Sequence, residues 1–314
     1  MDNLVSVIIP ACNEEGNIPE FCRLFGEMVK KSDYRFELVL VDDGSTDGTY
    51  NEIKEAAGRY DFIVCRRHHH NQGLTEALQT GFGAASGNIY VFYPADLQYL
   101  PEDIPALVAP IIEKDIDLVA GWKQGKYQKR FVSSVYNYLS RKIFGLKVHD
   151  LNSVKAFKAE VVRNMFLRRD WHRYLIVLAA DQGYKIDEVK MPLYDRRWGK
   201  SKFSGLFRIA VGVLDMLAVK TQLSLLKKPL LFFGMIGFIF FGLGTLVGLY
   251  ALYLRFVEEQ GFRPMLYLVL LLIGLGSALF ILGFLAESLA AMKEELSAVR
   301  RKLLDDSTDN REEP

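Results

Sequence analysis

The sequence predicts an α/β domain, a mostly parallel sheet with helices on both faces, followed by interfacial helices and a C-terminal pair of transmembrane helices. Three observations carry that reading. Strand-like runs rich in β-branched residues alternate with amphipathic stretches as far as Trp122. Carboxylates and amides collect just after those runs, the end of a parallel sheet at which ligands bind. Two late runs contain no charged residue.

Taken in order, "VSVIIP" is a first strand and residues 18–30 form an amphipathic helix. "FELVLVDD" is the second strand, Thr49–Arg59 the second helix and "DFIVCRR" the third strand. Residues 74–85 form a third helix, "NIYVFY" a fourth strand and "IDLVAGW" a fifth. Asn13 and Glu14 follow the first strand, Asp42 and Asp43 the second, and Asp96 the fourth. "DDGSTDGT" turns on Gly44 and offers Ser45, Thr46 or Asp47 as the N-cap of the next helix.

Residues 230–254 and 264–286 each exceed the roughly 20 residues a helix needs to cross a bilayer. A buried core hairpin is the alternative, but cores seldom supply two such runs separated only by "RFVEEQGFR". Lys220, Lys227 and Lys228 precede the pair, and Lys293, Arg300, Arg301 and Lys302 follow it. In the connecting loop Arg255 and Arg263 are balanced by Glu258 and Glu259. The positive-inside rule puts the large N-terminal domain and both termini in the cytoplasm of a two-helix membrane protein. The expected division is a catalytic domain at 1–202, interfacial amphipathic helices at 203–228, transmembrane helices within 229–287 and a cytoplasmic tail at 288–314 whose end, "DDSTDNREEP", is polar and disordered. Packing of residues 203–226 on the catalytic domain is the other reading of that segment.

Composition narrows the function. With 39 Lys+Arg against 38 Asp+Glu and 50% hydrophobic residues over 314, the chain has no charge excess for nucleic acid and no disordered character. Cys12, Cys22 and Cys65 are odd in number and form no CxxC, which suits a reducing compartment and no disulfide framework. The opening residues show no signal peptide, so a secreted product is not expected.

Seven stretches run in order along the chain: "VSVIIPACNEEGNI", "VDDGSTDGT", "NQGLTEALQTGFGAASG", "PADLQYLPEDIPAL", "LNSVKAFKAEVV", "WHRYLIVLAADQGYKIDEVKMPLYDRRWGKSKF" and the terminal apolar pair. Together they resemble the polyprenyl-phosphate branch of the family 2 glycosyltransferases, of GT-A fold, similar to dolichyl-phosphate mannose synthase and bacterial undecaprenyl-phosphate glycosyltransferases. The resemblance implies that Pro10, Asn13, Glu14, Asp42 and Asp43 line the pocket for the donor nucleotide, with Asn71 and Gly73 shaping its floor. It implies that Asp96 and Gln98 hold Mg²⁺ or Mn²⁺ on the donor diphosphate. Lys155 stands where the family carries a basic residue, and Arg196, Arg197, Lys200, Ser201 and Lys202 match its acceptor-phosphate segment. Three positions depart from the pattern: Pro94 replaces the usual first acid of the metal motif, Cys12 stands where an aromatic is common, and Asn88 follows Gly87 in place of an acid.

The residues suit that chemistry. A hard divalent ion takes oxygen ligands and commonly only one or two protein carboxylates, the rest coming from phosphate and water. In an extended segment Asp96 and Gln98 would point to one side with Leu97 toward the core, giving a sparse site of weak affinity without donor. Asp96 as a helix N-cap is the competing reading. A phosphomonoester acceptor is largely ionised at neutral pH and needs placement more than deprotonation, which Arg196, Arg197, Lys200 and Lys202 can supply. Snorkelling or contact with anionic headgroups would also explain those cations. Asp150 is a further catalytic candidate beside the acceptor or sugar. The triplet His68 to His70 is not expected to bind metal, because only His68 and His70 share a face of a continued strand. His172 and Arg173 in "WHRYL" match the family segment, with packed polar residues at a helix start as the other reading.

The expected activity is inverting, metal-dependent transfer of a hexose from a UDP- or GDP-linked donor to dolichyl or undecaprenyl phosphate at the membrane. The partners are thus a nucleotide diphosphate sugar and a polyprenyl phosphate, with no nucleic acid and with homo-oligomer formation open. A processive polysaccharide synthase is the second enzymatic reading, but Tyr194 stands where its QxxRW motif needs Gln. A catalytically silent, membrane-anchored nucleotide-sugar-binding protein is the third, against which Asp96, Gln98 and the basic segment argue.

Overall fold

The computed structural model describes residues 3–125, 130–163, 165, 167–168, 170–195, 207–224, 228–261 and 263–309. Contacts divide the chain into two compact units, Met1–Ala210 and Val211–Pro314.

The first unit is the anticipated α/β domain. In order it forms β1 (Leu4–Ala11), α1 (Asn17–Lys31), β2 (Arg35–Asp42), α2 (Thr49–Arg59), β3 (Ile63–Arg67), α3 (Leu74–Ala84) and β4 (Ile89–Phe92). Then follow α4 (Ile104–Lys114), β5 (Leu118–Gln124), α5 (Arg130–Phe144), β6 (Lys155–Lys158), α6 (Ala159–Arg163), α7 (Leu175–Asp181) and β7 (Ile186–Pro192). The sheet order is β3-β2-β1-β4-β6-β5-β7, parallel except for β6, which runs against both neighbours. Strands covered on both faces read as unbroken apolar runs, and Val5, Val7, Ile8 and Ile9 of β1 are fully buried. In α1 the buried stripe Ile18, Phe21, Cys22, Phe25 and Met28 has helical spacing and packs on that sheet.

The polar exception in β1 is itself paired. Ser6 Oγ donates to Glu37 Oε1 at 2.5 Å, and the same oxygen accepts the Ser86 N–H at 2.6 Å, tying β1 and β2 to the turn before β4. Gly87 is required there, since a Cβ would lie 2.3 Å from the Leu4 carbonyl oxygen.

Several expectations change. β6 and β7 were not legible as strands. The α2 N-cap is Gly48, not Ser45, Thr46 or Asp47, although Asp47 Oδ1 still accepts the Thr49 N–H at 3.1 Å. Asp96 and Gln98 do not lie on an extended segment. β4 ends at Phe92, and Leu97 takes a left-handed φ of 55°, so the two side chains are not related by strand alternation. Leu97 is buried in the core, as expected.

The second unit contains most of α8 (Phe207–Ser224), all of α9 (Pro229–Phe256) and all of α10 (Arg263–Asp309). The spans Pro229–Phe256 and Pro264–Met292 are long and apolar enough to cross a membrane, with only 17% and 11% of their most apolar windows buried, unlike core helices of a soluble protein. α9 and α10 meet backbone to backbone. A Cβ at Gly237 would lie 2.6 Å from the Gly276 carbonyl oxygen, and one at Gly276 would lie 2.7 Å from that of Gly237. Glu287 Oε2 accepts the Leu230 N–H at 3.1 Å and so caps the start of α9. Residues 305–309, the described part of the end expected to be disordered, continue α10 to Asp309. Strong helix formers follow Glu287 with no glycine or proline, so nothing stops the helix at the membrane edge.

Candidate active site

Four loops leave the C-terminal ends of β1 to β4, and hydrogen bonds between side chains and backbone lock three of them together. Asn13, at a left-handed φ of 54°, accepts the Thr46 N–H at 2.9 Å through Oδ1, while its own N–H donates to Ser45 Oγ at 3.0 Å. The Glu14 N–H donates to Thr49 Oγ1 at 2.8 Å, and Glu14 Oε2 accepts from Asn17 Nδ2. Pro10 is the penultimate residue of β1. The first and second loops are therefore one rigid edge.

Asp42 and Asp43 are buried, and their oxygens are committed. Asp42 Oδ1 accepts the Ser45 N–H at 3.0 Å, and Arg67 Nε lies 3.2 Å from Oδ2. Asp43 Oδ1 accepts the Gln72 N–H at 2.9 Å and Oδ2 accepts the Gly73 N–H at 2.9 Å. His68 bridges Asp43 Oδ1 at 2.8 Å and Thr80 Oγ1 at 2.8 Å, a buried structural role, while His69 and His70 are exposed. Asp43 thus shapes the third loop, placing Asn71 so that its Nδ2 donates to Cys12 Sγ at 3.1 Å. Gly73 has a φ of 98°, a conformation other residues rarely take, and a Cβ at Gly44 would lie 2.4 Å from the His70 carbonyl carbon.

The fourth loop carries the metal candidates. Asp96 is 8% exposed, and its Oδ1 accepts the Gln98 N–H at 3.2 Å, a local turn around left-handed Leu97. The Gln98 carbonyl oxygen accepts the Tyr194 N–H at 2.9 Å. Among the described residues no group of three or more His, Cys, Asp or Glu side chains could hold a metal. A carboxylate and an amide oxygen are hard ligands, and the pair fits Mg²⁺ or Mn²⁺ completed by phosphate oxygens.

Beside that loop lies a buried charge cluster. β6 runs against β4, which sets Lys155 opposite Phe92 at the β4 end that leads to Asp96. Lys155 is 1% exposed and donates from Nζ to the Ser153 carbonyl at 2.7 Å. Burial lowers its pKa to about 7; nearby Asp150 opposes that shift and Lys123 adds to it. Asp150 is 2% exposed, accepts the Asn152 N–H through Oδ1, and has Oδ2 3.3 Å from Lys123 Nζ. Lys123 escaped sequence reasoning because its partner is remote; its place one residue past "IDLVAGW", at the end of β5, was the only signal. Adjacent to it, Trp122 stacks on His149 with centroids 4.0 Å apart, and His149 Nδ1 lies 2.5 Å from Glu188 Oε1. His172 Nδ1 lies 2.9 Å from Thr75 Oγ1 in the first turn of α3, and burial holds its pKa down at about 3, so it is neutral.

Arg196, Arg197, Lys200, Ser201 and Lys202 lie outside the described residues. A separate cavity of about 440 Å³, lined by Leu24, Met28, Tyr34, Pro101 and neighbours, includes none of the candidate site residues.

Comparison with known proteins identifies the family. The family model described as glycosyl transferase family 2 matches residues 6–176. Dodecaprenyl-phosphate galacturonate synthase of Rhizobium johnstonii is 31% identical over 299 residues, covering 91% of this chain and 87% of the relative. Undecaprenyl-phosphate 4-deoxy-4-formamido-L-arabinose transferase of Pseudomonas fluorescens is 28% identical over 305 residues, covering 94% and 87%. Among solved structures, glucosyl-3-phosphoglycerate synthase from Mycobacterium tuberculosis, crystallised with Mn²⁺, UDP and glucosyl-3-phosphoglycerate, matches with a TM-score of 0.56 at 22% identity, covering 70% of this chain and 80% of that one, a likeness of fold. The chain is a glycosyltransferase and belongs to glycosyl transferase family 2.

Proposed function

We propose that this enzyme transfers a glycosyl group, with inversion, from a nucleoside diphosphate sugar to a bacterial-type polyprenyl phosphate at the cytoplasmic face of a membrane. The observation that carries it is the hydrogen bond from the Tyr194 N–H to the Gln98 carbonyl. It ties the loop with the metal candidates to the strand end from which the sequence runs into Arg196, Arg197, Lys200 and Lys202. Donor phosphates and acceptor phosphate would then meet at one end of the sheet. The relatives' acceptors are dodecaprenyl and undecaprenyl phosphate, and the structural neighbour binds UDP, which supports a UDP-linked donor.

In this reading Asn13, Glu14, Asn71 and Gly73 face the nucleotide across the edge that Asp42 and Asp43 hold rigid. Asp96 and Gln98 would hold Mg²⁺ or Mn²⁺, which when bound acts as a Lewis acid on the diphosphate. Lys155, poised near neutrality, takes up a proton as the diphosphate arrives and supplies charge where the leaving group develops it. Asp150 pairs with Lys123, and its charge favours the protonated form of Lys155. The acceptor oxygen is already anionic, so the arginines place it for direct displacement. The two apolar spans anchor the site beside its lipid substrate, with both termini cytoplasmic.

The test is incubation of membranes containing the full chain with radiolabelled nucleotide sugars and a short polyprenyl phosphate. Transfer of label to the organic phase, dependent on the lipid and abolished by chelator, is the expected result. Label moving to water or to a growing polymer instead would sink the proposal.

A further inference from the structure

From the last turn of the apolar span onward, α10 carries an apolar stripe at alternating spacings of three and four: Leu289 and Met292 within the span, and Leu296, Val299 and Leu303 beyond it. The first four are 66%, 65%, 73% and 55% exposed. Within a bilayer such exposure means contact with lipid, but Leu296 and Val299 lie beyond Met292, the last residue of the apolar span, on a helix flanked by Lys293, Glu294, Arg300 and Arg301. A heptad seam of this kind fits a partner helix rather than water.

We infer that this extension is an association surface for a second copy of the chain, forming a parallel, in-register coiled coil above the membrane. Counting Leu289, Leu296 and Leu303 as a positions and Met292 and Val299 as d positions puts Glu295 at g and Lys293 and Arg300 at e. In a parallel pair, position g faces e of the following heptad on the other helix, so Glu295 meets Arg300 with opposite charge. In an antiparallel pair e faces e, and Lys293 would meet Arg300 with like charge. Membrane insertion imposes the same choice, because copies with one topology present their α10 extensions in the same direction. Anchoring in two dimensions also raises the effective concentration of the helices, so a short seam suffices. The inference does not depend on the nature of the donor or acceptor.

The test is a cysteine cross-linking scan of the full chain in native membranes. The unsubstituted chain, whose Cys12, Cys22 and Cys65 all lie in the first unit, gives the background. Cross-linked dimers are expected for Leu289→Cys, Leu296→Cys and Val299→Cys and not for Glu294→Cys or Ser297→Cys. Glu295→Arg should weaken the Leu296→Cys cross-link several-fold, and adding Arg300→Glu should restore it. Uniform cross-linking, none at any position, protection of Leu296→Cys by lipid or by the chain's own first unit, or failure of the double charge swap to restore the product would each overturn the inference.

Discussion

The backbone N–H of Tyr194 donates to the carbonyl oxygen of Gln98 at 2.9 Å, joining the end of β7 to the loop that carries Asp96. Replacing Tyr194 by Pro removes the donor and should leave the sheet intact, costing about 1 kcal/mol of stability. If the bond positions the loop, kcat/KM should fall at least about a hundredfold, roughly 3 kcal/mol, well beyond the loss in donor-free stability. Equal losses in both would mark a purely structural tie. Asp96→Ala should reduce turnover by about a hundredfold or more and flatten its dependence on added Mg²⁺ or Mn²⁺, since Lewis-acid stabilisation is worth several kcal/mol. Undiminished metal dependence in that variant would exclude Asp96 as the ligand.

Lys155 gives a proton-linkage signature. Its pKa in the fold is about 7 against 10.5 for a free lysine side chain, so the native state binds less proton than the unfolded state between those values. Stability therefore rises with pH across that window, and the cost of the buried amine is greatest below pH 7. Lys155→Met should be more stable than the parent at pH 6, with the difference shrinking toward pH 10. Binding of a nucleoside diphosphate with Mg²⁺ at pH 8 should take up a proton, read by calorimetry in buffers of different ionisation enthalpy, and the uptake should vanish in Lys155→Met.

Much of the fold was legible because strands β1, β2 and β4 are covered on both faces and print themselves as apolar runs. β6 has four residues, two of them lysine, and β7 is an edge strand with mixed side chains, so neither shows a period. In the site, the residue types were legible and their commitments were not. Asp43 could have been a turn residue or a ligand by sequence, and only the structure assigns both its oxygens to the backbone of Gln72 and Gly73. Lys123 and Asp150 meet across the chain with no local pattern linking them. The left-handed Leu97 gives no sequence signal because leucine seldom adopts that conformation.

Asp43 provides a further prediction. Asp43→Asn keeps the volume but replaces one acceptor with a donor facing a backbone N–H, which should cost about 1–3 kcal/mol and lower the melting temperature by several degrees. Because the displaced loop carries Asn71, KM for the donor should rise more than KM for the lipid. A variant with unchanged donor KM would separate this carboxylate from nucleotide binding.

Arg196→Ala and Arg197→Ala address the acceptor. Loss of a charge-assisted bond to phosphate is worth about 1.5–3 kcal/mol, so each should raise KM for polyprenyl phosphate roughly 10- to 100-fold with donor KM unchanged. Reconstitution in neutral lipid separates this role from headgroup attraction: if the arginines serve only anionic lipids, the variants and the parent should converge there.

His172 sets the acid limit. Burial holds its pKa at about 3 against 6.5 for a free imidazole, so on acidification the unfolded chain takes up a proton that the native state refuses. The stability it confers is complete above pH 6.5 and is lost as pH falls through the window down to about 3, with a slope approaching about 1.4 kcal/mol per pH unit. His172→Gln retains a polar partner for Thr75 Oγ1 but has no titrating group, so it should start less stable at pH 7 and lose less between pH 6 and pH 4. Denaturation of the detergent-solubilised chain across that range reads the slope directly, and a variant whose curve stays parallel to the parent's would show that the acid sensitivity originates elsewhere.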